Sequence, residues 1–175
     1  MAARVLTERV CPRLLGYAGR MLNDWNEAED VVQEAMLRLW KVAPDWRTGE
    51  AKVSTWLFRV VSNLCTDRLR ARRNSNRNIS LETVAEPPDP ARPALAEIVH
   101  SQRLAALHDA LSRLPERQRQ AVILRHIEGL TNPEIGDIMG IGTEAVESLT
   151  ARGKRGLANL LAGRQKDLGY EDDGT

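Results

Sequence analysis

VSTWLFRVVSNLCTDRLRARR, residues 53–73, decides how this chain is read. At about 100° per residue, Val53, Trp56, Leu57, Val60, Val61 and Leu64 fall on one apolar stripe, and Phe58, Cys65 and Leu69 extend it around a second side. A helix apolar over more than half its circumference is packed by neighbours on several sides. What remains is a narrow polar ridge of Thr55, Arg59, Ser62, Asn63, Thr66, Arg70 and Arg73. Asn is a poor helix-interior residue, so its place among arginines points to use. An amide reads base edges, and guanidinium groups on the same face hold the sugar-phosphate backbone. Trp46, Trp56 and Phe58 lie beside the ridge, where aromatic faces support unstacked bases. Phe58 reads as core; Trp56 fits the core and the nucleic-acid reading equally well; the arginine cluster favours binding.

Working outward, apolar residues recur at three- and four-residue steps and period-two alternation is absent, which predicts an all-α protein. A first helix is expected over roughly 3–22, carried by Val5, Val10, Leu14, Leu15, Ala18 and Leu22 and broken by the stretch NDW. A second runs from about Glu27 to Val42, with acids in its first turn where the helix dipole favours them, and ends before Pro44. Ser54 is expected to cap the opening helix. Downstream, Pro87, Pro88, Pro90 and Pro93 fall within seven residues that hold few large apolar groups, the composition of a semi-rigid linker. Helices are expected again over about 94–112, 115–128, a short piece from Thr131 to Gly140 begun by the capping box TNPE, and 143–162. The fold class is therefore two small helical domains joined by a Pro-rich flexible linker.

The C-terminal pair, a short helix, a Gly-containing turn and a second helix, has the helix-turn-helix pattern. In that motif the second helix enters the DNA major groove by its N-terminal half. Glu144, Glu147, Ser148 and Thr150 are placed to reach bases, and Arg152, Lys154 and Arg155 to hold phosphates. An ordinary helical hairpin with a solvated basic end fits the same pattern.

With 25 Lys and Arg against 24 Asp and Glu, the net charge of +1 conceals an uneven distribution. Residues 52–73 hold Lys52, Arg59, Arg68, Arg70, Arg72 and Arg73 against Asp67 alone, a local field that attracts polyanions. No stretch of about 18 apolar residues offers a membrane span, and MAARVLTERVCPRLL lacks the apolar centre of a secretory signal, so a cytoplasmic protein without membrane insertion is expected. Cys11 and Cys65 are too few for a disulfide framework and sit in apolar helical patterns; His100, His108 and His126 show no metal-ligand spacing with them. No metal and no cofactor is expected. Neither a P-loop, a nucleophile elbow nor a Gly-rich dinucleotide turn is present, so an enzyme is not expected.

Taken together, EAEDVVQEAMLRLW (27–40), STWLFRVVSNLCTDRLRARR (54–73), a tether, and LSRLPERQRQAVILRHIEGLTNPEIGDIMGIGTEAVESL (111–149) resemble an extracytoplasmic-function (ECF) sigma factor of bacterial RNA polymerase. The resemblance covers nearly the whole chain in the expected order. It implies a sigma domain two over 1–73, a linker over 74–94, a sigma domain four over 95–163 and an acidic tail over 164–175. It implies that Asp30, Gln33, Glu34, Leu37 and Trp40 dock on the clamp helices of the largest subunit of core RNA polymerase. Acids facing a basic coiled coil aid association, and Leu37 and Trp40 supply anchor area.

The resemblance further implies that Trp56 and Asn63 meet the melted minus-ten strand of promoter DNA while Arg59, Arg70, Arg72 and Arg73 hold its backbone. Glu144, Glu147, Ser148, Arg152 and Lys154 would read the minus-thirty-five element as duplex. Where many relatives have Lys or Arg, this chain has Glu147, which only accepts hydrogen bonds, for instance from cytosine. An anti-sigma factor that masks both domains is implied as a further partner. The competing reading is a stand-alone helix-turn-helix regulator, which leaves the acidic helix 27–42 without a role.

Overall fold

A computed structural model describes residues 2–47, 52–76 and 95–164. Among them there are seven α-helices and no strand: α1 Ala2–Leu22, α2 Trp25–Val42, α3 Val53–Asn76, α4 Leu95–Arg113, α5 Glu116–Val122, α6 Asn132–Met139 and α7 Thr143–Ala162. The expected Pro-rich linker and all of the acidic tail but Arg164 lie outside the described residues.

The first three helices bury the faces that periodicity selects. Leu14, Tyr17, Ala18 and Met21 of α1 meet Val31, Val32 and Ala35 of α2 and Leu57, Phe58, Val61 and Cys65 of α3. The break between α1 and α2 is sharp because Asn23 takes a left-handed backbone (φ 52°) and returns its amide to the Gly19 carbonyl at 2.9 Å. Asp24 then caps α2, accepting from the Glu27 amide at 3.0 Å, so α2 begins two residues earlier than the sequence indicates. Gly19 permits this return, since a Cβ there would collide with the Trp25 ring. Ser54 does not cap α3. The helix has already begun at Val53, and the Trp56 amide donates to the Lys52 carbonyl at 3.1 Å.

In the C-terminal half, the expected single helix over 115–128 is instead α5 followed by a wide π turn, Ile123–Ile127, in which the Glu128 amide reaches the Ile123 carbonyl at 3.0 Å. Ile123 and Leu124 are both buried on this turn, and Gly129 (φ 68°) reverses the chain after it. The capping box opens α6 as expected, with the Glu134 amide donating to Thr131 Oγ1 at 3.4 Å. Gly140 (φ 67°) closes it, and Gly136 lies so near the Ile141 carbonyl that a Cβ would approach it to 2.7 Å. This tight turn sets α7 across α6, and Gly153 lets α7 cross α5 closely.

The two helical groups do not stand apart. Their buried residues form one continuous cluster, and α6 packs on α3 while α4 and α5 meet α1.

Candidate nucleic-acid interface

Three surfaces carry the residues that the sequence singles out. On α2, Asp30, Gln33, Leu37 and Trp40 are exposed and Glu34 partly so, in one stripe opposite buried Ala28, Val31, Val32, Ala35 and Leu39. Leu37 and Trp40 leave 62% and 48% of their surfaces in solvent. Glu34 holds Arg38 at 2.6 Å one turn on, which leaves the stripe itself net acidic.

On α3, Arg59, Asn63, Arg70 and Arg73 are exposed along the ridge. Arg59 has no ion-pair partner among the described residues, and Arg70 is only 4.0 Å from Asp67, a weak exposed pairing. Trp56 is half-buried and rests edge-on against Trp46, ring centroids 5.8 Å apart at 84°. The two indoles form a small aromatic ledge at the N-terminal end of the ridge. Phe58 is core, edge-on to Tyr17 at 5.7 Å, with the Arg13 guanidinium 5.3 Å from its ring centre, a cation–π contact.

Ser62, a ridge residue, and Arg72, expected on the DNA backbone, have partners within the protein. Ser62 is buried, its hydroxyl sharing a 2.6 Å hydrogen bond with the Tyr17 hydroxyl; it belongs to the α1–α3 contact, because its position falls on the ridge's inner edge. Arg72 turns back to the α1–α2 junction, donating to the Leu22 carbonyl at 2.6 Å and to Glu27, with Asp24 3.9 Å away. That guanidinium satisfies a helix-end carbonyl and two acids of the α2 cap, so its first role is to tie α3 to the turn.

On α7, Glu144, Glu147, Ser148, Arg152 and Lys154 are all exposed, while Val146 and Gly153 face inward. Asn132 of α6, which sequence reading passes over, donates from Nδ2 to Glu147 Oε1 at 3.4 Å and steadies that carboxylate. Thr150, half-buried, donates its hydroxyl to the Val146 carbonyl of its own helix at 2.8 Å. Such back-bonding to the preceding turn is a common fate of a mid-helix Thr. Partial burial lowers the pKa of His126, helped by the nearby cations Lys154 and Arg125, which mark the positive end of this surface.

Burial pushes the Cys65 thiol up to about 12 and raises that of Cys11, so neither is an activated thiolate. No group of His, Cys, Asp and Glu among the described residues is arranged to hold a metal ion. No described helix is long and apolar enough to cross a membrane.

The described residues thus combine an exposed acidic and apolar stripe, a cationic Arg and Asn ridge, and a helix-turn-helix on one all-α protein. Comparison with known proteins gives the class. Residues 6–75 match the family model of Sigma-70 region 2, and residues 104–157 that of Sigma-70, region 4. The RNA polymerase sigma factor CarQ of Myxococcus xanthus is 31% identical, the match covering 89% of this chain and 87% of CarQ. The ECF RNA polymerase sigma factor SigE of Mycolicibacterium smegmatis is 34% identical over 90% of this chain, which spans 60% of the length of SigE. The fold matches the sigma factor RpoE of Bartonella quintana, solved in complex with the anti-sigma factor NepR, with a TM-score of 0.73 at 23% identity, over 91% of this chain and 96% of that one. The chain belongs to the ECF sigma factors of the sigma-70 family.

Proposed function

We propose that the chain binds core RNA polymerase and directs it to a specific set of promoters, acting by binding rather than by catalysis and in the cytoplasm, where polymerase and DNA are. The observation that carries this reading is the α2 stripe: Leu37 and Trp40 stand exposed among Asp30, Gln33 and Glu34 on a helix whose other side is fully packed. A stand-alone DNA-binding regulator has no use for that stripe. An acidic face with two apolar anchors suits a basic partner helix pair, such as the clamp helices of the polymerase largest subunit.

In this reading, residues 1–73 are sigma domain two, 74–94 the linker, 95–163 sigma domain four and 164–175 a tail. Arg59, Asn63, Arg70 and Arg73, with Trp56 at the ledge, receive the minus-ten strand. Capturing an extruded base offsets the few kcal/mol that unstacking costs and couples sequence reading to strand opening. Glu144, Glu147 and Ser148 read the minus-thirty-five duplex, with Arg152 and Lys154 on phosphates. An anti-sigma factor is the natural regulator, in keeping with the complex in which RpoE was solved.

The test is co-elution of the purified chain with core polymerase on gel filtration, followed by transcription from a genomic template library. Defined start sites sharing two upstream boxes are expected; failure to bind core polymerase would reject the proposal.

A further inference from the structure

Glu147 of α7 carries a carboxylate that no cation neutralises. Three and four residues to either side of it stand Glu144, Thr143, Thr150 and Ala151, so its own helix offers no ion pair. Glu34 of α2 and Asp109 of α4, by contrast, each pair with an arginine one turn on. The partner of Glu147 among the described residues is neutral: Asn132 Nδ2 donates to Glu147 Oε1 at 3.4 Å. With Oε1 engaged, Oε2 is the oxygen left to accept from a ligand.

Asn132 has a fixed base from which to hold that carboxylate. It is the first residue of α6, half-buried between Thr131, whose hydroxyl caps the helix, and Pro133, whose ring fixes the next backbone position. Its bond to Glu147 is not what joins α6 to α7. Buried Ile135, Ile138 and Val146 and the close approach of Gly136 to the Ile141 carbonyl do that, and a solvent-facing neutral hydrogen bond adds little to stability. Its effect is on the direction of the Glu147 side chain.

What that side chain can accept from is narrow. In the major groove cytosine shows an amino donor and no acceptor; adenine sets N7 beside its amino group, guanine shows N7 and O6, and thymine shows O4 and a methyl group. An ionised carboxylate only accepts. Every base but cytosine therefore meets it with a lone pair or a methyl group, and a mismatch leaves the carboxylate desolvated without a donor. Such a contact selects by rejection as much as by attraction. The DNA phosphates repel Glu147 as well, and the exposed Arg152, Lys154 and Arg155 farther along α7 offset that repulsion on the backbone.

We propose that Asn132 is a positioning residue for minus-thirty-five recognition, holding the Glu147 carboxylate so that the pair demands a cytosine, within a C·G base pair, at one position of the element. The inference rests on the sigma-factor reading and deepens it: the upstream duplex is defined at that position by a hydrogen-bond donor.

The test uses holoenzyme assembled from the full chain and core polymerase, with bound duplexes selected from a randomised library and sequenced. Wild type is expected to enrich an upstream box in which one position favours cytosine by about tenfold, the scale of one base contact. Asn132→Asp, which cannot donate to Glu147, should reduce that preference to about threefold or less and leave the other positions of both boxes unchanged. In Glu147→Gln, Asn132 holds the carbonyl oxygen and the introduced amide faces the base, so the cytosine preference is lost. Combining the two substitutions reverses the geometry. The amide introduced at 147 then donates to the carboxylate introduced at 132, its carbonyl oxygen faces the base, and the cytosine preference returns. A merely structural role for Asn132 produces no such rescue. Thermal melting identifies a variant that has unfolded, and Asn132→Ala, with the same fall in preference expected, is then read in place of Asn132→Asp. An upstream box with no position favouring cytosine, a preference that loss of the Asn132 donor leaves intact, a loss spread evenly over all positions, or a double variant indifferent to cytosine would each overturn the inference. Failure of every form to bind core polymerase or to enrich any upstream box would instead reject the sigma-factor reading.

Discussion

Asn63 is exposed in the middle of a helix, a position its propensity disfavours, and no packing in the core explains it. Asn63→Ala should therefore leave thermal stability unchanged or slightly raised and leave core-polymerase binding intact. Promoter opening, followed by permanganate reactivity of the melted strand, should fall by about tenfold or more, the scale of one lost base contact. Equal loss of polymerase binding would make the helix a structural element only. Cys65 offers a second check at this scale. With its thiol pushed up to about 12 by burial, it should resist disulfide-exchange reagents at neutral pH in the folded protein and react only on unfolding, with Cys11 labelled first. Periodicity correctly assigns Phe58 and Cys65 to the interior. It misplaces Ser62 and gives no warning about Arg72, because helical angles state which way a residue points but not whether a partner from α1 or the α2 cap waits there.

Among the elements, α2 is the most legible in the sequence: its buried stripe and its exposed stripe separate cleanly at helical spacing. If the exposed stripe is a docking face, Leu37→Ala with Trp40→Ala should weaken core-polymerase binding by a hundredfold or more with little change in folding stability, because neither side chain is part of the core. Competition binding with a labelled reference sigma factor measures this. The crossing of α7 on α5 depends on Gly153, where a Cβ would collide with Val122 Cγ2 and come within 3.1 Å of the Gln118 carbonyl oxygen. Gly153→Ala should cost about 1–3 kcal/mol in chemical denaturation despite the better helix propensity of Ala. The π turn after α5 is not legible. Its apolar positions satisfy an ordinary helix, and only the tertiary demand to bury both Ile123 and Leu124 ahead of Gly129 selects the wider winding.

For the molecule as a whole, the sequence indicates two helical groups and a Pro-rich connection, and the helices fall close to where periodicity and caps put them. Their mutual packing is not legible, since it is carried by single side chains far apart in the chain: Arg13 with Glu128, Lys52 with Glu134, Trp25 with His108. None has a local signature, and each is ordinary within its own helix. The central claim is that this chain confers promoter choice on polymerase through domain two and domain four together. The most direct measurement is transcription in vitro with purified core polymerase, with and without the chain, and start sites mapped across a genomic library. The account predicts that the chain creates a discrete set of start sites sharing two spaced upstream elements, and that Asn63→Ala abolishes most of that initiation. An unchanged start-site map when the chain is added, although it is folded and present in excess over polymerase, would contradict it.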